Sequence, residues 1–235
     1  MKKRLLVYGG SGAIAGAVRE AFQEDGWSVI ATSRSKRASA GKNLRWVTYD
    51  PFARSFDPAA LDRYGPFNAV CWAQGANIND SIYDVDADRH ISVYKANCLF
   101  NIVTLNSLLK RKLLAKNARL CVISSIWQTL SRQNKLSYSV SKSALQGFVL
   151  STALDLGRDG YLINAILPGA LDTPMTRRLL KPRQIKALES ATFFNHLPGL
   201  ADVSSLAVYL CSEQNRSITG QFVAVDLGFR HARIL

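Results

Sequence analysis

The sequence predicts an α/β fold in which a seven-stranded parallel sheet is covered by helices on both faces. Short apolar segments rich in β-branched residues alternate with longer segments of helical periodicity along the 235 residues. The strand segments are continuously apolar, which is typical of strands buried between two layers of helices. Glycine-rich or polar segments follow several of these strands, at the carboxyl ends where such sheets bind their ligands.

Seven strand segments are predicted, with helical segments between them. The strands are expected at Leu5–Tyr8, Ser28–Thr32, Arg45–Tyr49, Ala69–Ala73, Leu120–Ser124, Leu162–Leu167 and Gln221–Val225. The helices are expected at about Ala13–Glu24, Asp88–Leu114, Tyr138–Leu156 and Val203–Cys211. No internal repeat, low-complexity tract or linker interrupts this pattern in the sequence, so we interpret residues 1–235 as a single domain.

The composition, with 48% hydrophobic and 20% charged residues, is that of a protein with a large apolar core. The apolar segment 5–8 follows a basic start but runs directly into Gly9, so we interpret it as a strand and not a signal peptide. No apolar segment reaches the ~18 residues of a membrane span. Four cysteines without C-x-x-C spacing are typical of reduced thiols and not of zinc ligands. We therefore expect a cytoplasmic protein without a membrane or metal partner.

A net charge of +13 can attract a nucleic acid, an anionic surface or an anionic ligand. The basic residues are scattered and do not form one run with interleaved aromatic residues, so a nucleic acid is not the expected partner. The tightest cluster is Arg34-Ser35-Lys36-Arg37, directly after the second predicted strand. A phosphate-bearing cofactor, together with a solvated basic surface, accounts for more of this charge.

A glycine-rich loop joins the first strand to the first helix. It runs from Gly9 to Gly16, and the expected cofactor contacts within it are Gly9, Gly10, Ser11, Gly12, Ala13 and Ile14. Glycines allow a tight turn and a close approach of the backbone to a pyrophosphate, while the following helix N-terminus supplies N–H donors. A flexible strand–helix turn is the alternative. The position in the first β–α unit favours a dinucleotide site and hence a Rossmann-like, doubly wound sheet.

The end of the second strand favours NADP(H) as the cofactor, with NAD(H) as the alternative. Enzymes that bind NAD place an acidic residue here, whereas this chain has Ser33 and Arg34. A guanidinium group suits a 2′-phosphate through charge-assisted hydrogen bonds. Asp50-Pro51 ends the third strand, where the carboxylate is expected either to accept from an adenine amino group or to form a turn.

Ser125, Tyr138 and Lys142 have the spacing that a carbonyl-reducing enzyme requires. Tyr138 and Lys142 are four residues apart, so they lie on one face of a helix. A nearby ammonium group favours the phenolate and is expected to lower the pKa of Tyr138. Ser125 follows an apolar strand, from which its hydroxyl can hold a substrate oxygen against the tyrosine. An ordinary helix that carries a tyrosine and a lysine is the alternative.

Together these motifs resemble those of the short-chain dehydrogenase/reductase family over essentially the whole chain. The family's T-G-x-x-x-G-x-G loop corresponds to residues 8–15, where Ala13 and Ala15 replace two glycines. The other matching segments are Ala73-Gln74-Gly75, Asn97, Pro168–Pro174 and Thr219–Gly228, in which Leu227 replaces a glycine.

The resemblance implies a catalytic tetrad of four side chains: Asn97, Ser125, Tyr138 and Lys142. In this scheme Tyr138 protonates the carbonyl oxygen, Ser125 binds that oxygen, and Lys142 lowers the pKa of Tyr138 and holds the nicotinamide ribose. Asn97 holds a water molecule. The full set of expected cofactor contacts, including those named above, is Gly9, Gly10, Ser11, Gly12, Ala13, Ile14, Ser33, Arg34, Asp50, Pro51, Ala73, Gln74, Gly75, Asn97, Tyr138, Lys142, Pro168, Gly169, Leu171 and Thr173.

The resemblance also implies a lid at about residues 173–200 over a small carbonyl or alcohol substrate. The lid carries five basic residues and one histidine: Arg177, Arg178, Lys181, Arg183, Lys186 and His196. These side chains either favour an anionic substrate or are simply solvated. Pairing of the helices around 88–114 and 138–156 implies a homodimer or a homotetramer. The sequence specifies neither the substrate nor the direction of the reaction.

Three other functions remain as alternatives. Tyr8-Gly9-Gly10 and residues 171–175 also resemble segments of dihydropteridine reductases. Two features argue against that assignment: no acidic residue follows the second strand, and Ser125 is present. A nucleotide-sugar-modifying enzyme usually has a longer C-terminal part. A redox-sensing regulator that binds NADP(H) without turnover typically lacks the tyrosine or the lysine, and both are present here.

Overall fold

The computed structural model describes residues 2–38, 41 and 43–231. Seven parallel strands form one sheet in the order β3-β2-β1-β4-β5-β6-β7. The strands are β1 (Arg4–Tyr8), β2 (Ser28–Ser33), β3 (Leu44–Thr48), β4 (Phe67–Trp72), β5 (Leu114–Ile123), β6 (Leu162–Pro168) and β7 (Phe222–Val225). The order reverses between β1 and β4, which leaves a crevice at the carboxyl ends of these two strands. The predicted doubly wound, Rossmann-like fold is therefore confirmed.

Helices cover both faces of the sheet. They are α1 (Ala13–Glu24), α2 (Ala87–Tyr94), α3 (Phe100–Lys110), α4 (Leu136–Gly157), α5 (Pro174–Leu179), α6 (Pro182–Ser190) and α7 (Leu200–Cys211). A π-helical segment, Lys95–Leu99, joins α2 to α3, and 3-10 turns lie at Asp62–Tyr64 and Ile126–Gln128. Within the described ranges, none of the helices is long and apolar enough to cross a membrane.

Adjacent residues of each central strand point into two separate apolar layers. Leu6, Tyr8 and Trp72 belong to the layer beneath α3 and α4. Leu5 and Val7 belong to the opposite layer, beneath α1 and α7. Burial on both faces explains why these strands are apolar at every position, since burying one Leu or Val side chain contributes about 1.5–3 kcal/mol.

The largest difference from the sequence prediction lies between α3 and β5. The helix expected to reach Leu114 ends at Lys110, and Leu114 is the first residue of β5. Lys112 has a φ of 54°, a left-handed conformation that terminates the helix. The predicted strands agree with the structure within one or two residues, except that β5 begins six residues earlier than expected.

Candidate active site

A cleft of about 440 Å³ opens at the carboxyl ends of β1, β2 and β4. Nine of the expected cofactor contacts line it: Gly9, Ser11, Gly12, Ser33, Arg34, Asp50, Ala73, Gln74 and Gly75. The sequence reasoning missed several other lining residues, among them Thr32, Tyr49, Phe52, Lys95 and Phe100. A larger cavity, of about 880 Å³, lies at Lys112, Asp155 and Tyr161, and none of the expected site residues lines it.

Close packing dictates the first two glycines of the loop. Gly9 has a φ of +69°, and a Cβ atom there would lie 2.6 Å from the backbone of Gln74. A Cβ atom on Gly10 would lie 2.8 Å from the Cβ of Ala31. The first turn of α1 follows at Gly12, which has no side chain to cap the helix, so its N–H groups are suited to an anionic group. The loop therefore fits the pyrophosphate of a dinucleotide.

Ala13 and Ala15, which replace family glycines, both lie inside α1 and not in the turn. The residue Ala13 is exposed, whereas Ala15 is fully buried in the apolar layer beneath α1. Gly10, Ala13 and Ile14 do not line the cleft, although all three were expected to contact the cofactor. The two alanine methyl groups thus leave the turn itself unchanged.

Arg34 lies exposed at the rim of the cleft, immediately after β2. The hydroxyl of the neighbouring Ser33 accepts a hydrogen bond from the Ser35 N–H at 3.3 Å, which orders the start of this turn. Asp50 also lines the cleft, but its Oδ1 accepts from the Phe52 N–H at 3.0 Å. Part of the Asp50 carboxylate therefore forms the turn that contains Pro51, which itself does not line the cleft.

Asn97 lies buried in the π-helical segment and joins three parts of the chain. Its Oδ1 accepts from the Ala76 N–H at 2.7 Å, and its Nδ2 donates to the Ala76 carbonyl at 2.9 Å. The second Nδ2 proton is donated to the Ser141 hydroxyl at 2.8 Å. Both donors are thus used within the protein, so Asn97 is suited to positioning the segment after β4 rather than to donating to a water molecule.

Lys142 lies beside the cleft, close to Gly75, but does not line it; the same holds for Asn97 and Tyr138, which were also expected to contact the cofactor. A Cβ atom on Gly75 would lie 3.8 Å from the Lys142 Nζ, which shows how close the segment after β4 approaches it. The ammonium group donates to the Ile123 carbonyl at 3.0 Å and lies 5.8 Å from the centroid of the Tyr138 ring. Burial lowers the pKa of Lys142 to about 8.

Tyr138 and Ser125 complete the cluster. Ser125 ends the loop after β5, and its hydroxyl accepts from the Trp127 N–H at 3.3 Å. Burial raises the pKa of Tyr138, and a hydrogen bond with Ser125 partly opposes this. The expected lowering of this pKa by Lys142 is not found, because desolvation is the larger influence on both groups. Burial therefore favours the protonated phenol, the form that can donate a proton.

The four expected contacts after β6 lie outside the cleft. Gly169 donates its N–H to the Val225 carbonyl at 2.9 Å, and Leu171 is buried. Thr173 caps α5 by accepting from the Thr176 N–H at 3.1 Å. Pro168 ends β6, which neighbours β5, so this group lies on the side of Ser125.

The basic character of the expected lid is partly neutralised within the lid itself. Arg177 forms two hydrogen bonds with Asp172, at 2.6 and 2.7 Å, and lies 3.9 Å from Glu189. The remaining basic residues of α5 and α6 are exposed. At its end, the lid packs against the segment after β7, because the Phe193 N–H donates to the Leu227 carbonyl at 2.9 Å.

Comparisons with known proteins agree with this geometry. A family model described as enoyl-(acyl carrier protein) reductase matches residues 10–230. The L-rhamnose 1-dehydrogenase (NADP(+)) of Thermoplasma acidophilum is 24% identical over 96% of this chain and 95% of its own length. The 3-oxoacyl-[acyl-carrier-protein] reductase of Salmonella typhimurium is 24% identical over 96% of each chain. A crystal structure of a short chain dehydrogenase family protein from Francisella tularensis has a TM-score of 0.88 and 25% identity, over 97% of this chain and 99% of that one.

We expect Lys142→Met to change the pH dependence of stability. The folded-state pKa of Lys142, about 8, lies below its unfolded value of about 10.5, so the unfolded chain binds the extra proton between these values. Between pH 7 and pH 9.5 the free energy of unfolding of the wild-type protein should therefore rise by about 2 kcal/mol relative to that of the variant. Urea unfolding of both proteins at the two pH values measures this difference, and parallel curves would contradict it.

We expect Ala15→Gly to weaken α1 without improving nucleotide affinity. The substitution removes a buried methyl group and introduces a flexible residue, so the free energy of unfolding should fall by about 1–2 kcal/mol. Ala17→Gly, at a partly exposed position of the same helix, is the matched control and should cost about 1 kcal/mol. Tighter NADPH binding by Ala15→Gly, measured by fluorescence titration, would show that the methyl group interferes with the site.

Proposed function

The chain belongs to the short-chain dehydrogenase/reductase family, and from this premise we propose that it transfers a hydride between NADP(H) and a carbonyl or secondary alcohol substrate. Members of this family are NAD(P)-dependent oxidoreductases. The observation that carries the proposal is the cluster of Ser125, Tyr138 and Lys142, which lies close to Gly75 in the wall of a glycine-lined cleft.

The proposed cofactor fits the residues that line the cleft. Gly9 and Gly10 hold the loop against β4 and β2, and the N–H groups at the start of α1 suit the pyrophosphate. Arg34 would bind the 2′-phosphate, and no acidic residue follows β2 that would repel it. One curated relative carries NADP(+) in its name, which supports the same preference.

The proposed roles of the side chains follow from their hydrogen bonds and burial. The nicotinamide, when bound, supplies or accepts the hydride. Tyr138 holds the proton that the substrate oxygen receives during reduction, and Ser125 orients that oxygen against the phenol. Lys142 provides a positive charge beside the phenol below about pH 8. Asn97 fixes the segment after β4 to α4 and thereby positions Lys142.

The substrate is proposed as a small molecule that enters beneath residues 173–200. Phe193 and Trp127 both lie against the segment after β7, since Phe193 packs at Gly228 and Trp127 contacts Phe229. The pairing of Arg177 with Asp172 removes one candidate for binding an anionic substrate. A neutral carbonyl compound and an anionic one both remain compatible with the other exposed basic residues.

Assembly and cellular compartment are further parts of the proposal. Apolar side chains on α2, α3 and α4 are exposed, which supports a homodimer or homotetramer; they are Ile91, Ile102, Val140, Leu150 and Leu154. All four cysteines of the sequence are free and buried, which supports a reducing compartment such as the cytoplasm.

We expect Tyr138→Phe to abolish turnover while preserving cofactor binding. The variant keeps the ring but removes the only proposed proton donor, so kcat should fall by about 10²–10⁴. Steady-state NADPH oxidation over a panel of carbonyl compounds measures the loss. Tyr83→Phe, at a position that is 96% exposed, is the control and should behave like the wild type. Retained turnover by Tyr138→Phe would exclude its role as the acid.

We expect Arg34→Ala to weaken NADPH binding selectively. Loss of a charge-assisted contact with a phosphate should raise the Kd for NADPH by roughly 10–100-fold and leave that for NADH nearly unchanged. Fluorescence titration with both nucleotides measures the ratio, with the exposed Arg216→Ala as the charge-matched control. Equal weakening for both nucleotides, or none, would contradict the assignment.

A further inference from the structure

Lys135 is a second lysine beside Tyr138, and the reaction described above does not use it. Its Nζ lies 5.7 Å from the centroid of the Tyr138 ring, and the Nζ of Lys142 lies 5.8 Å from the same centroid. Only 5% of Lys135 is exposed. One phenol ring is thus approached by two ammonium groups, both within the distance at which a cation interacts with an aromatic ring.

Three oxygen atoms of the segment after β4 hold the Lys135 ammonium in place. Nζ donates to the Asn77 Oδ1 at 2.7 Å and to the Asn79 Oδ1 at 2.6 Å. A longer contact, of 3.5 Å, is made with the Ile78 carbonyl. An ammonium group has three protons, so these contacts fix its position. All three acceptors are neutral, and they leave the positive charge of Lys135 in place.

The surrounding charged groups balance the Lys135 charge only in part. Asp80 attracts the ammonium, but its carboxylate accepts hydrogen bonds from the Ser137 N–H, at 3.0 Å, and from the Ser137 hydroxyl. His90 on α2 contacts the same hydroxyl at 2.8 Å. The other titratable groups near the two lysines are Arg132, which repels Lys135, and Cys98, which is close to Lys142.

The position of Lys135 in the helix explains how it reaches the ring. It precedes Tyr138 by three residues and is the N-cap residue of α4, while Lys142 follows Tyr138 by four residues. The spacing of four places Tyr138 and Lys142 on one face of α4, whereas Lys135, whose backbone is not helical, approaches the ring from just before the first turn. The N-terminus of α4 adds its own partial positive charge beside the same tyrosine.

We propose that Lys135 is a positioning residue for the reaction, whose fixed ammonium stabilises the negative charge that develops on the Tyr138 oxygen when the hydroxyl gives up its proton. This inference rests on the proposed role of Tyr138 as the acid. A buried cation in a medium of low dielectric constant acts more strongly on such a charge than an exposed one. Lys135 thus adds a second positive charge beside the ring that Lys142 approaches, and burial lowers the pKa of both lysines.

The test is the pH dependence of alcohol oxidation, in which Tyr138 accepts a proton. In Lys135→Met the acidic limb of the kcat/KM profile should move upward by about one pH unit, and Lys135→Arg, which keeps the charge, should restore it. Lys116→Met, at an exposed position, is the matched control. A merely structural role would lower the rate at every pH and leave the limb in place. A raised KM for acidic substrates with an unmoved limb would identify substrate binding and overturn the proposal.

A second variant keeps the test decisive if Lys135→Met does not fold. Asn79→Asp retains the lysine and places a carboxylate against its ammonium, so it should move the limb in the same direction. If no substrate is found, ultraviolet titration of the phenol, read as the difference from Tyr138→Phe with and without NADP⁺, reports the same shift without turnover. An unmoved titration in folded Asn79→Asp and Lys135→Met would overturn the role of Lys135. Missing turnover with a shifted titration would instead count against the proposed function alone.

Discussion

The site depends on the hydrogen bonds that the Asn97 side chain makes. Its amide group binds both backbone atoms of Ala76 and the hydroxyl of Ser141, and so ties the π-helical segment to β4 and α4. Ser141 neighbours Lys142 and lies three residues after Tyr138, so the same contact fixes both side chains relative to the cleft. A buried amide whose donors are all satisfied is rigid, because breaking any one bond leaves an unpaired polar group that costs about 1–3 kcal/mol.

Burial gives the site its chemistry and opposes its stability. Desolvation lowers the pKa of Lys142 and of Lys135 and raises that of Tyr138, so each group is shifted toward its neutral form. Neutral hydrogen-bond acceptors offset part of the cost of burying the two ammonium groups. They are the Ile123 carbonyl for Lys142 and two asparagine amides for Lys135. Perturbed groups concentrated in one small region of a protein are typical of sites that transfer protons.

Local patterns sufficed to predict the sheet, the glycine loop and the spacing of Tyr138 and Lys142. Apolar runs locate a strand because both of its faces are buried, and the spacing of four residues determines a helix face. The end of α3 was missed because a left-handed lysine has no local signature. The partners of Asn97 were missed because they lie 21 and 44 residues away, and the pKa of Tyr138 because it depends on packing that no short motif encodes.

The first half of the chain supplies the residues that line the cleft. Among the residues that the structure describes, every lining residue lies between positions 9 and 100, and the expected lid supplies none of them. The walls of this cleft are therefore built without any contribution from residues 173–200. Substitutions in residues 173–200 can consequently accumulate without altering the walls of this cleft.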